Sequence, residues 1–229
     1  MDVKEFSLEF DLLYNNIMSN KAPGLSEYEK SLFLTQAQES IVLDIYSGKY
    51  GDSFERTEET TSYLNQLLKQ DTYTDADFIE GKKLDTRSVF ITLPEDLWFK
   101  TGEVAFIKDE SYKCSKDNTR EVTVLPVTQD TLIRTKRSPF RGPNERRILR
   151  LDSSNHTVEL ISNYPITSYT VRYLSRPEPI ILSDLPQGLA IGGKSSPQTC
   201  LLNTAIHKAI LSKAVLIAKS SWESENNKG

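Results

Sequence analysis

The stretch LSEYEKSLFLTQAQESIVLDIY, Leu25 to Tyr46, decides how the rest of the chain is read. Ser26 followed three residues later by Glu29 is the spacing of a capping box, in which each side chain satisfies a backbone donor at a helix start. A long helix therefore begins here. At helical spacing Leu34, Ala37, Ile41 and Ile45 fall on one apolar stripe, while Tyr28, Leu32, Val42, Leu43 and Tyr46 fall on another, roughly opposite. A helix resting on its own core needs only one. The second stripe is left for another element of the chain or for a neighbouring subunit.

Upstream, Val3, Phe6, Phe10, Leu13, Tyr14 and Ile17 share one helical face, and Asn20-Lys21-Ala22-Pro23-Gly24 breaks the chain before the capping box. Helix, short turn and helix imply an antiparallel hairpin. Downstream of Gly48 and Gly51 a third helical pattern runs from about Ser53 to Gln70, with Phe54, Tyr63, Leu64, Leu67 and Leu68 as its buried members. Asp71 to Asp85 is polar and reads as a solvated linker. From Ser88 the period changes to short β-branched runs: Ser88 to Leu93, Glu103 to Ile107, Glu121 to Leu125, Arg147 to Leu151, Thr157 to Ile161 and Tyr169 to Leu174. These predict five to seven antiparallel strands, with Asp152 to His156 as a hairpin connection. Arg176-Pro177-Glu178-Pro179 forces an extended arm. The last helix, about Gln198 to Ser220, again carries two stripes: Leu202, Ala205, Ile206, Ala209, Leu216 and Ile217 against Cys200, Leu211, Ala214, Val215 and Ala218.

The fold class expected is α+β: an N-terminal helical hairpin and a long C-terminal helix form a helical body, with a central antiparallel β-region inserted. The boundaries are 1-70 for the N-terminal helical part, 71-175 for the β-region, 176-197 for the arm, 198-221 for the closing helix and 222-229 for a disordered tail. The chain is long enough for one large domain or two small ones. Its N-terminus lacks the basic and apolar run of a signal peptide, and its most apolar long segment, Cys200 to Ala218, is broken by His207, Lys208 and Lys213. It reads as neither secreted nor membrane-spanning. Cys114 and Cys200 lack metal-ligand spacing and read as free thiols of a reducing compartment. Residues 1–87 hold 9 basic against 17 acidic side chains, whereas 88–175 hold 13 against 11. Such asymmetry suits packing of copies and a solvated surface equally.

Catalytic chemistry is not evident. His156 and His207 are the only histidines, and neither sits within reach of a nucleophile on the predicted elements. No phosphate-cradling glycine motif is present. Asp71, Asp75, Asp77 and Glu80 have the density of an oxygen-ligand site but lack a calcium loop's central glycine and terminal glutamate. A metal-dependent hydrolase built on them is the remotest of the readings, and no cofactor or metal is expected. The basic stretch Arg134, Lys136, Arg137, Arg141, Arg146, Arg147 and Arg150 stands against one acid, Glu145. It suits nucleic-acid phosphates, a partner's carboxylates or a solvated loop. Within it Ser138-Pro139-Phe140-Arg141-Gly142-Pro143 is a rigid turn that offers an aromatic, which favours a protein contact.

Four segments carry a resemblance: EFDLLYNNIMSNKAPGLSEYEKSLFLTQAQESIV (Glu5 to Val42), LIRTKRSPFRGP (Leu132 to Pro143), YLSRPEPIIL (Tyr173 to Leu182) and LNTAIHKAILSKAVLIA (Leu202 to Ala218). In this order they resemble the ring or adaptor proteins of the head-to-tail connector of crAss-like bacteriophages. The resemblance implies a virion structural protein without enzymatic activity, made in the host bacterial cytoplasm. It implies a closed homo-oligomeric ring of twelve copies in the phage neck, which docks on the portal protein and on the next tail ring protein. It also implies a channel passing double-stranded DNA without sequence specificity. The surplus stripes then become subunit or partner interface, as do the arginine-rich turn residues. The expected contact residues are Tyr28, Leu32, Val42, Tyr46, Phe140, Arg141, Arg146, Arg147, Leu211 and Val215. The alternative is a nucleic-acid-binding module using the basic loop 134-150.

Overall fold

The computed structural model describes residues 1–17, 24–50, 62–79, 88–113, 117–154 and 156–226. The chain divides into two compact units, residues 1–67 with 176–229, and residues 68–175.

The second unit is a curled seven-stranded mixed sheet. Its strands are β1 (Leu68–Thr74), β2 (Ser88–Thr92), β3 (Leu97–Lys108), β4 (Thr119–Val127), β5 (Arg147–Ser154), β6 (Thr157–Ile161) and β7 (Ile166–Ser175), in the spatial order β1-β7-β3-β4-β5-β6-β2. All neighbours are antiparallel except β4 and β5, which run parallel with Thr123 opposite Arg147. Parallel neighbours cannot be joined by a tight hairpin, so the chain must cross over between them. That crossover is the arginine-rich segment. Register slips between β3 and β7, at Leu97/Phe99, Lys100/Gly102 and Phe106/Ile107, bend the long central strand. Ile91, Ala105, Ile107, Val122, Ile148, Leu160, Tyr169 and Val171 belong to the cluster that fills the concentrated apolar face.

In the other unit α1 (Val3–Ile17) and α2 (Glu27–Ser47) are joined by α4 (His207–Asn226), against which both pack. A short helix in the sheet unit, α3 (Leu132–Arg137), lies in the crossover between β4 and β5. Ser26 and Glu29 form the capping box at the start of α2, and Gly48 closes it in the left-handed conformation at φ 75°. The face of α2 turned inward is Lys30, Ser31, Leu34, Ala37, Gln38, Ile41, Val42 and Ile45. Its polar members have partners on the extended arm: Leu182 N donates to Ser31 Oγ at 3.0 Å, Gln38 Nε2 to the Glu178 carbonyl at 2.7 Å, and Ile180 N to Thr35 Oγ1 at 3.1 Å. An extended strand of backbone thus lies along a helix through side-chain hydrogen bonds. Lys30 is buried between Asp11 at 2.7 Å and Glu27 at 2.9 Å. Burial works against its charge, but the two carboxylates outweigh it and raise its pKa.

The expected fold class is corrected on both of its parts. α1 and α2 do not form a packed hairpin; each rests on α4, and they are tied at Lys30 and by the Ser7 hydroxyl donating to Glu27. The β-region is a mixed sheet rather than an antiparallel one. The third helix ends earlier than expected: Ser62 is helical, but the chain leaves the helix before Asn65. Asn65–Leu67 is a single 3-10 turn and Leu68 already opens β1, while 53–61 lie outside the described residues. Asp71 is in that strand rather than in a linker, opposite Val171.

Candidate assembly surfaces

The crossover from Thr128 to Arg146 begins with α3 and ends in a tight turn. Gly142 N donates to the Ser138 carbonyl at 2.8 Å and Arg141 N to Ser138 Oγ at 3.2 Å. Arg147 clamps the turn from beneath: Nη2 donates to the Phe140 carbonyl at 2.5 Å and Nε to the Gly142 carbonyl at 3.4 Å. Asn163 Nδ2 holds the Pro143 carbonyl at 2.6 Å. A Cβ at Gly142 would lie 2.6 Å from the Ser138 carbonyl oxygen, so this turn admits only glycine without moving. The consequence is an aromatic ring held out from the surface, because Phe140 is 87% exposed. Ile133 on α3 is exposed as well. Arg134, Arg141 and Arg147, with Thr131 and Thr135, wall a groove of about 350 Å³ over Leu125 and Val127.

The seven cations of this stretch do not act alike. Arg147 is spent on the turn, and Arg150, on β5, is buried inside the sheet unit. Its Nη1 meets Glu103 Oε2 at 2.7 Å, and Nη2 meets Asp152 at 3.3 Å. The Tyr169 hydroxyl donates to the other oxygen of Glu103. Burial, followed by the neighbouring carboxylate, drives the Tyr169 pKa upward, so the phenol stays protonated as the donor. Arg134, Lys136, Arg137, Arg141 and Arg146 remain exposed. Glu145 lies 3.7 Å from Arg146 Nε. Asp130, just before α3, has its carboxyl pKa lowered by the Thr128 hydroxyl, backbone donors and Arg134.

A second surface lies on the helical unit. Leu8 and Leu12, one helical turn apart on α1, are 70% and 62% exposed. Leu12 and Leu13 face Leu211 and Ser212 of α4 across a groove of about 300 Å³, with Glu9 and Lys208 at its rim. Sequence reasoning passed over Leu8 and Leu12, because they lie off the face defined by Phe6, Phe10 and Tyr14. Two leucines a turn apart on the opposite side were the available signal.

Of the expected contact residues, Phe140, Arg141 and Arg146 lie together on the exposed turn, with Arg147 half-buried beneath them. Tyr28, Leu32 and Tyr46 are half-buried on α2. Val42, Leu211 and Val215 are fully buried inside the chain's own helical unit, and of the three only Leu211 borders the groove between α1 and α4. Val42 continues the Ser31, Thr35 and Gln38 line that faces the arm, and Leu211 and Val215 sit on the inner face of α4 together with Ile210 and Ala214. The other members of the paired stripes are not all covered: Leu43 on α2 and Leu216 on α4 are exposed.

His207 is also interior. Its Nε2 lies 2.9 Å from the Leu202 carbonyl and its Nδ1 3.1 Å from the terminal amine of Met1, with the Phe6 ring at 5.3 Å. The two contacts are satisfied by one tautomer, Nε2–H donating and Nδ1 accepting. Burial lowers its pKa, and the terminal amine acts in the same direction, against the Leu202 carbonyl. Cys200 is a free, buried thiol whose pKa burial pushes up to about 11; Cys114 lies outside the described residues. No group of three or more His, Cys, Asp or Glu side chains is placed to hold a metal among the described residues. Asp71 accepts from the Tyr173 hydroxyl at 3.1 Å, and Asp77 from Thr74 N at 2.8 Å, while Glu80 is not described. No described helix is long and apolar enough to cross a membrane.

The family described as phage tail ring protein 3/4 matches residues 1–229. The chain is 48% identical over 222 residues to Ring protein 3 of Bacteroides phage crAss001, covering 95% of each chain. It is 36% identical over 236 residues to Ring protein 4/5 of the same phage, covering 98% of this chain and 95% of the relative.

Proposed function

From the premise that the chain belongs to the phage tail ring protein 3/4 family and is a virion structural protein, we propose that it is a ring-forming adaptor of the phage neck. Twelve copies close into a ring that docks on the portal, extends the DNA channel and connects the capsid to the tail. The observation that carries this reading is the length of the likeness, which runs through the helical and the sheet unit alike. The exposed surfaces agree with it. A rigidly presented phenylalanine among arginines and an apolar groove beside an acidic helix are unequal patches on one chain, and unequal patches generate head-to-tail contacts.

The reading of the basic stretch as a nucleic-acid site is weakened by Arg147 and Arg150, which are committed internally. DNA then meets the protein as cargo in the channel, without base contacts. The test is mass measurement of the purified protein alone and mixed with the portal protein of the same phage. A closed ring, formed alone or on the portal, is the expected result. A protein that stays monomeric and ignores the portal would overturn the proposal.

A further inference from the structure

Resting on the ring reading above, we propose that Phe140 of one copy inserts into the α1/α4 groove of the next copy. The groove is roomy enough: at about 300 Å³ it exceeds the roughly 150 Å³ that suffices to hold a benzene ring. Its walls, Leu12, Leu13 and Leu211, are apolar where the ring would sit. The turn that carries Phe140 is held by Arg147 and by the close approach at Gly142, so the ring is presented at little further cost in ordering.

Charge selects the same pairing. The helical unit holds 11 basic against 16 acidic side chains, and the sheet unit 17 against 16. Locally, residues 1–17 contain Asp2, Glu5, Glu9 and Asp11 against Lys4 alone. Glu9, at the rim of the groove, has no ion-pair partner among the described residues, and neither do Arg137 and Arg141 beside Phe140. Lys208 on the opposite rim repels that arginine pair, which sets the side from which they approach: Arg141 over α1, away from α4. The patches differ in shape and sign, so two copies cannot satisfy both in an isologous dimer. Each copy instead gives its phenylalanine to one neighbour and its groove to another, the heterologous kind of contact from which rings are built.

The experiment mixes copies carrying only Leu12→Cys with copies carrying only Phe140→Cys, both in a Cys114→Ser background, under mild oxidation. The inference expects a disulfide-linked dimer in the mixture and none in either variant alone. In parallel, Phe140→Ala weakens ring formation about tenfold or more, as a central aromatic anchor does. Glu9→Arg and Arg141→Glu each weaken it, and combining them restores it. Rings that form from the unmodified protein with no linked dimer in the mixture, and with Phe140→Ala at full strength, overturn this inference and leave the ring reading standing. An unmodified protein that forms no ring, with or without the portal protein, overturns both.

Discussion

Replacing Arg150 by Met tests whether the arginine-rich stretch is partly structural. Arg150 and Glu103 have side chains only 9% and 12% exposed and meet at 2.7 Å. Removing the guanidinium leaves Glu103 in the sheet interior with the Tyr169 hydroxyl as its remaining donor. Breaking a buried pair from one side costs about 3–5 kcal/mol, because an uncompensated charge stays buried. An exposed pair such as Lys69–Asp96, whose side chains are 52% and 39% exposed, is worth about 0–1 kcal/mol by comparison. For a chain of this length about 2–4 °C of midpoint accompanies each kcal/mol, so Arg150→Met should lose roughly 6–20 °C. Adding Glu103→Gln should recover much of the loss, since the amide oxygen still accepts from Tyr169 and no charge is stranded. Urea unfolding followed by the fluorescence of Trp98, which lies on β3, with Trp222→Phe as background, reads the sheet unit alone. An Arg150→Met protein within about 0.5 kcal/mol of its parent, or a double variant no better than the single, would refute the reasoning.

Gly142→Ala drives a methyl to 2.6 Å from one backbone oxygen and 3.0 Å from another; a cost of about 1–3 kcal/mol and weakened ring formation should follow, checked by melting and by mass. His207 has its folded pKa lowered by burial, so the unfolded chain binds more protons as pH falls below about 6.5. Stability contributed by the neutral imidazole is therefore full above that pH and declines as pH drops toward the folded pKa. The difference between the unmodified protein and His207→Gln across pH 5 to 8, roughly the range of an imidazole, should show that decline. In a Cys114→Ser background the Cys200 thiol, with its pKa near about 11, should react with a thiol reagent only as fast as the helical unit opens, rising sharply in urea.

Some of the architecture was readable because local chemistry governs it. Ser26, Glu29 and Gly48 set the ends of α2 without help from elsewhere, and β-branched runs located β2, β5, β6 and most of β7. β1 was not readable, since Leu68-Lys69-Gln70-Asp71-Thr72-Tyr73-Thr74 is a polar edge strand whose partner, β7, is about a hundred residues away. Leucines before it imitate a helical period. The parallel pairing of β4 with β5 was hidden for a related reason. The crossover's helix has six residues, too few to show a period, and reads as a basic loop. The stripes of α2 and α4 were only partly informative because a helix wheel cannot tell which members the chain itself covers, as it does Val42 and Val215, from those it leaves exposed, as it does Leu43 and Leu216. Ser31, Thr35 and Gln38 would have settled it, as polar side chains aligned at helical spacing to receive backbone. The contact residues divided accordingly. The exposure of Phe140, Arg141 and Arg146 was legible from turn chemistry, whereas the burial of Val42, Leu211 and Val215 was hidden by the stripes.

The division of the arginines bears on what the exposed ones are for. Density in sequence is not surface potential: seven cations in the stretch yield five at the surface, one of them beside Glu145, on a unit whose balance is close to neutral. If those five bound DNA phosphates, the logarithm of affinity would fall against the logarithm of salt with a slope no steeper than about −4.5, at −0.9 per phosphate. Phe140 would add nothing to that slope, because an alanine there removes no charge. A subunit contact behaves in the opposite way. Its electrostatic part is steering and register, screened over about 10 Å at 0.1 M salt, whereas the ring in the groove supplies the loss on truncation. Phe140→Ala should therefore weaken ring formation about tenfold or more at constant salt and leave any DNA retention unchanged, and Arg137→Ala with Arg141→Ala should slow assembly more than it weakens the finished ring. Equal loss of DNA retention and assembly in Phe140→Ala would make the turn a nucleic-acid contact instead.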